Sequence, residues 1–120
     1  MRVLHLEDNA FKHYEIKKVL ASCGVTGTDW VRNLEEGLKM AAEEKYDLYI
    51  TDMWYPAVPG GPEGCCGQAF IEEIQRRGDT TPILLISNQN YSYPEILKAL
   101  YYSDRSDWER ELEGIVRSLK

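Results

Sequence analysis

The chain has 120 residues and a formal net charge of −6, with 14 Lys and Arg against 20 Asp and Glu. Its length suits one domain, residues 1–120, and its acidic balance argues against nucleic acid as a direct partner, because phosphate backbones are held by basic stripes. No apolar run approaches the roughly 20 residues of a membrane span, Glu7 and Asp8 interrupt any secretory leader, and three cysteines, two of them adjacent, make no disulfide framework, so a reducing cytoplasm is the expected compartment.

Val3 to Leu6 is short and wholly apolar apart from His5, which predicts a buried strand with a packed core imidazole. A helix follows, with Phe11, Ile16, Val19, Leu20 and Cys23 along one face and His13 at its surface, and Gly24 ends it. Thr26 to Val31 is rich in strand formers. Asn33 and Glu36 then make a capping pair for a helix that turns Leu34, Leu38, Ala41 and Ala42 inward. Leu48 to Thr51 is a third strand, ending at Asp52. Met53 to Gly67 is a loop by its prolines and glycines, and its Cys65-Cys66 pair lacks the spacing of a zinc site and reads as inert. Gln68 to Arg77 predicts a helix on Phe70, Ile71 and Ile74. Ile83 to Ile86 is a fourth strand, Pro94 suits the first turn of a short helix, and Ala99 to Tyr102 is a fifth strand. Ser106 and Glu109 read as a capping box for a last helix striped by Leu112, Ile115, Val116 and Leu119.

Alternating strands and helices predict an α/β, flavodoxin-like, doubly wound sheet of five parallel strands in the order 2-1-3-4-5. Its crevice lies at the carboxyl ends of strands 1 and 3. Glu7 and Asp8 directly follow strand 1 and Asp52 directly follows strand 3, so three carboxylates converge there. Such a cluster repels itself and calls for a cation, and hard oxygen donors with room for water suit Mg²⁺. A carboxylate is a competent nucleophile for phosphoryl transfer, and Ser87, at the end of strand 4, is placed to hydrogen-bond a phosphoryl oxygen on Asp52.

Over nearly its whole length the sequence resembles the receiver domain of two-component response regulators. The resemblance rests on Glu7-Asp8, on Thr51-Asp52 with Pro56 four residues beyond, and on Ile86-Ser87-Asn88. It implies that Asp52 is the phosphoacceptor, that Glu7, Asp8, Asp52 and the backbone carbonyl of Trp54 hold Mg²⁺, and that Ser87 is the switch hydroxyl. It also implies a bacterial, cytoplasmic protein, phosphorylated by a histidine kinase or phosphotransfer protein and signalling through a downstream protein partner. The last helix runs to Lys120, so a stand-alone receiver is expected, with no enzymatic activity beyond its own phosphorylation and slow dephosphorylation. Two departures stand out. The family places a lysine at the end of strand 5, where this chain has Tyr101-Tyr102-Ser103-Asp104. Arg105 is the candidate substitute there, and Tyr101 or Tyr102 the candidate switch aromatic. Gly60 keeps the family's spacing from the acceptor and Gly67 its helix-opening context, which together imply a seven-residue insertion beside the site. The rival reading is a pseudo-receiver that binds a protein without phosphorylation. A flavin or nucleotide enzyme is disfavoured, because Glu7 to Phe11 is acidic and bulky where a phosphate loop needs small residues.

Overall fold

In chain order the elements are β1 (Arg2–Leu6), α1 (Ala10–Ser22), β2 (Gly27–Val31), α2 (Leu34–Glu43), β3 (Leu48–Thr51), β4 (Tyr55–Pro56), β5 (Glu63–Gly64), α3 (Cys66–Arg76), β6 (Ile83–Ser87), β7 (Lys98–Tyr101) and α4 (Trp108–Leu119). The structure is a computed structural model describing residues 1–120. β3 and β6 are fully buried, and β1 is buried from Val3 onward, because central strands of a parallel sheet are covered on both faces. The large sheet is parallel throughout, in the order β2-β1-β3-β6-β7. Setting aside β4 and β5, which form a separate two-stranded sheet, this is the expected order 2-1-3-4-5.

Two cores follow from the two faces. Val3, Ile50, Leu84, Ile86 and Leu100 face α1 and α4, meeting Ile16, Leu20, Leu112 and Val116. Leu4, Leu6, Tyr49 and Ile83 face the other way, meeting Phe70, Ile71 and Ile74 of α3 and the partly buried Leu34, Leu38 and Ala41 of α2. The Asn33 side chain accepts from the Glu36 backbone N–H at 2.9 Å, the expected cap of α2. No helix is long and apolar enough to cross a membrane.

Several expectations are corrected. Residues 88–97 run from β6 to β7 as a loop, without the helix that Pro94 suggested. Pairing of the edge strand starts early, with the Leu97 N–H on the Ile83 carbonyl, so too few residues follow Pro94 to nucleate a helix. Tyr93 and Ile96 of this loop cover the core instead. The Ser106 hydroxyl donates to the carbonyls of Tyr101 and Ser103, so no capping box forms and Asp107 occupies the cap of α4. α3 starts at Cys66, which is buried while Cys65 is exposed. Within the expected loop, β4 and β5 pair as a small antiparallel hairpin. In α1 the Asn9 side chain caps the Lys12 N–H at 3.0 Å. That register buries Lys12, His13, Ile16 and Leu20 and leaves Phe11 71% exposed, contrary to the expected stripe. His13 is therefore not a surface residue. It stacks on Trp30 with ring centroids 4.0 Å apart, and its Nδ1 lies 2.9 Å from Nδ1 of the buried His5. Ala42 is exposed.

Candidate functional site

The parallel register pairs Leu6 with Thr51, so the chain leaves β1 and β3 side by side and the next residues are the acids. The Asp52 N–H donates to the Leu6 carbonyl and the Glu7 N–H to the Val31 carbonyl, which fixes both backbones. Glu7 is buried; Asp8 and Asp52 are half-buried. Glu7, Asp8 and Asp52 offer carboxylate oxygens that lie within 4.8 Å of one another. They line a cavity of about 330 Å³ together with Lys12, Trp54 and Tyr102.

Each carboxylate has a distinct environment. Burial pushes the Glu7 carboxyl up to about 7; the Lys12 ammonium opposes that shift and the Asp52 charge adds to it. Glu7 Oε2 accepts from the Asn9 N–H at 3.2 Å, while Oε1 pairs with the Lys12 ammonium at 3.0 Å without an aligned hydrogen bond. Asp52 Oδ1 accepts from the Met53 N–H at 2.7 Å and pairs with Lys12 Nζ at 3.2 Å. Asp8 faces Glu63 of β5, whose carboxyl is held above its usual range by hydrogen bonding to Asp8 and by the Asp8 charge. β5 therefore brings a fourth acid to the cavity rim. An all-carboxylate set with a buried, poorly satisfied Glu7 Oε1 fits a hard divalent cation.

The remaining predicted residues fall as follows. Ser87 ends β6 and is buried; its hydroxyl has only a long contact, 3.4 Å, from the Gln89 N–H. Trp54 lines the cavity, and its indole N–H donates to the Tyr91 hydroxyl at 2.9 Å. Tyr102 also lines the cavity, with its hydroxyl on the Glu15 carboxylate, whereas Tyr101 is 42% exposed. Arg105, the candidate substitute for a lysine, does not reach the acids. It is exposed, makes no ion pair and lies outside the cavity, because the chain turns at residues 103–106, where the Ser106 N–H bonds the Ser103 carbonyl.

The cation that reaches the acids is Lys12, which the sequence reading missed. Its ammonium contacts Glu7 and Asp52, donates to the Ile86 carbonyl at 2.6 Å and lies 5.2 Å from the centre of the Tyr102 ring. The available signal was the Asn9 cap, which places Lys12 on the inward face one helical turn beyond the acid pair.

Similarity to known proteins agrees with this geometry. The response regulator TrrA of Thermotoga maritima, solved with Mg²⁺ and a beryllium fluoride, superimposes with a TM-score of 0.77 at 25% identity, covering 99% of this chain and 98% of that one. The receiver domain of a Pseudomonas aeruginosa sensor histidine kinase, with a magnesium ion in its active-site cleft, gives 0.77 at 19% identity, over 98% of this chain and 95% of that one. The transcriptional activator IrlR of Burkholderia pseudomallei is 33% identical over 87 residues, 72% of this chain and 34% of that protein. The chain thus spans about a third of the length of the curated relatives it matches. No known family profile matches it. The fold is that of the receiver domain of two-component response regulators, as the sequence resemblance implied.

Proposed function

We propose that the chain is a phosphoacceptor receiver in phosphorelay signalling: Asp52 takes a phosphoryl group from a histidine kinase or phosphotransfer protein and the modified chain acts on a protein partner. The observation that carries this reading is Asp52 itself. One oxygen is fixed by the Met53 N–H and the Lys12 ammonium, and Oδ2 accepts no hydrogen bond, beside two further carboxylates. A fixed carboxylate with one free oxygen is oriented for attack on phosphorus. In that step a new bond forms between Asp52 oxygen and phosphorus, and the donor's bond to phosphorus breaks, its electron pair leaving with the donor. Water later cleaves the acyl phosphate, returning the carboxylate and inorganic phosphate, so no further turnover is required of the chain.

Glu7, Asp8 and Asp52, with the Trp54 carbonyl, are the residues that would hold Mg²⁺, which when bound supplies charge compensation for the acceptor and the transferring oxygens. The buried Ser87 hydroxyl is the donor nearest along the sheet for a phosphoryl oxygen, and of the two candidate switch tyrosines Tyr102 is the one that lines the cavity. The setting proposed is a bacterial cytoplasm.

Intact mass after incubation with acetyl phosphate and Mg²⁺ tests the reading. One phosphoryl group is expected on the wild type, lost at alkaline pH, and none on Asp52→Asn. A wild type that stays unlabelled under conditions that label an ordinary receiver overturns phosphoacceptor function in favour of the pseudo-receiver.

A further inference from the structure

We infer that Lys12, delivered from helix α1, is the cation that contacts the phosphoryl group on Asp52, a role for which the end of β7 supplies no side chain. This rests on the reading of Asp52 as acceptor.

The ammonium donates to the Ile86 carbonyl at 2.6 Å and makes ion-pair contacts with Glu7 Oε1 at 3.0 Å and Asp52 Oδ1 at 3.2 Å. The side chain is only 8% exposed, so a charge normally left in water has been brought inside. The ammonium is held against the nucleophile, and its bond to Ile86 fixes it beside Ser87 at the end of β6. It also lies 5.2 Å from the centre of the Tyr102 ring. The residues that follow Tyr102 there are Ser103 and Asp104, neither of them cationic, and Arg105 lies outside the cavity.

The charge redistribution on phosphorylation favours the transfer of this contact. Before reaction the negative charge sits on the Asp52 carboxylate. Once the oxygen–phosphorus bond forms, the carboxylate becomes a neutral acyl group and the charge moves to the phosphoryl oxygens. The ammonium loses its attraction to Oδ1 and gains a stronger one to oxygens a short distance away, as a charge-assisted hydrogen bond. Without a phosphoryl group, the same ammonium repels any cation approaching the acids.

Those two consequences have opposite signs, which separates this role from a merely structural one. The probes are Mg²⁺ alone and beryllofluoride with Mg²⁺, titrated into the full chain and followed by amide chemical shifts. In Lys12→Met, beryllofluoride affinity is expected to fall ~10-fold or more, the scale of one charge-assisted contact, while Mg²⁺ alone binds at least as tightly as in the wild type. Adding Asp104→Lys or Ser103→Lys to Lys12→Met is expected to recover part of the lost affinity. Lys12→Gln, which keeps a donor for Ile86, serves if Lys12→Met does not fold. In the wild type, with no variant needed, the Lys12 ammonium resonance is expected to shift on addition of beryllofluoride beyond its shift with Mg²⁺ alone. Equal affinity in the Lys12 variants, losses of equal size for both probes, or an ammonium resonance that ignores beryllofluoride overturns the inference. A wild type that neither binds beryllofluoride nor labels at Asp52 overturns the acceptor reading instead, so the two failures are distinguishable.

Discussion

Gly67 controls how closely the first turn of α3 approaches Asp52. A Cβ at that position would lie 2.2 Å from the Asp52 carbonyl oxygen and 2.7 Å from Met53 Cα, and both of those are backbone atoms that cannot step aside. The Gly67 N–H meanwhile donates to the Met53 carbonyl at 2.9 Å, so the helix and the segment after Asp52 are joined at the point of contact. Gly67→Ala is expected to cost about 1–3 kcal/mol, the usual range for overpacking, and to displace Asp52. Urea unfolding measures the first effect and loss of labelling the second; a variant as stable and as reactive as wild type would mean that the backbone yields freely. The acids carry a second expectation. Mg²⁺ at a hundredfold excess over its dissociation constant should add about 2.7 kcal/mol of stability. Asp8→Asn should abolish that increment and raise the melting temperature of the metal-free protein, because one like charge leaves the cluster. A wild-type melting curve indifferent to millimolar Mg²⁺ contradicts the site. Glu7, Asp8 and Asp52 were legible because residues just past the carboxyl ends of neighbouring parallel strands must meet. Lys12 was not, because a lysine on a short helix ordinarily extends into water and only its place relative to the Asn9 cap says otherwise.

α1 shows at the scale of an element how a cap redirects a helix. With Asn9 as cap, the inward face becomes Lys12, His13, Ile16 and Leu20, which carries one charge and one imidazole into the interior. The stripe expected from apolar spacing included Phe11 because hydrophobicity alone does not report the register of the first turn. Strand order and the α2 cap were legible, since each had a local pattern with one solution. The loop at 88–97 was not, since β7 begins at Lys98 through pairing with β6, a contact remote in sequence. The His13 placement has a pH consequence. Burial holds His5 well below its ordinary value, with the charges of His13 and Lys12 acting in the same direction, and burial pushes His13 down to about 4, helped by Lys17. Trp30 and Tyr14 complete the surroundings of His13 and bring no charge to it. In the unfolded chain a histidine protonates near 6.5, so the pair's contribution is fully present above that pH and is lost as pH falls toward about 4. Glu7 acts in the opposite sense. Its raised value means a contribution present below about 4.5 and lost as pH rises through about 7. The difference between proteins therefore isolates the histidine. His13→Phe, which keeps a ring on Trp30, is expected to lose less melting temperature than wild type between pH 6.5 and 4. Parallel curves would place the acid lability elsewhere.

For the molecule as a whole, under the proposed function, the origin of the site cation decides where a phosphorylation signal would travel. A lysine on an edge strand would pull that strand toward the phosphoryl group; one on α1 pulls the helix. α1 shares its core with α4, through Ile16 and Leu20 against Leu112 and Val116, and packed interiors transmit small shifts of one element to the next. β7 pairs with β6, packs Leu100 into the same core and reaches α4 through the exposed, weak Lys98–Glu111 ion pair, but none of its residues lines the cavity. Tyr102 is the exception at that end of the sheet, because its hydroxyl bonds Glu15 of α1 and its ring lies under the Lys12 ammonium. On addition of beryllofluoride and Mg²⁺, amide shifts are therefore expected to concentrate in α1 and α4 and to include Tyr102. Tyr101 and the rest of β7 should move less than in a receiver with a strand-borne lysine. The contrast between two adjacent tyrosines is the useful measure, since both feel the same change in bulk charge but only one is tied to the helix. Lys12→Met should remove the α1 and Tyr102 changes together at saturating beryllofluoride. A full two-state shift at Tyr101 with α1 unmoved would show that the edge strand responds without a lysine of its own, and that Lys12 stabilises the phosphoryl group without transmitting its arrival.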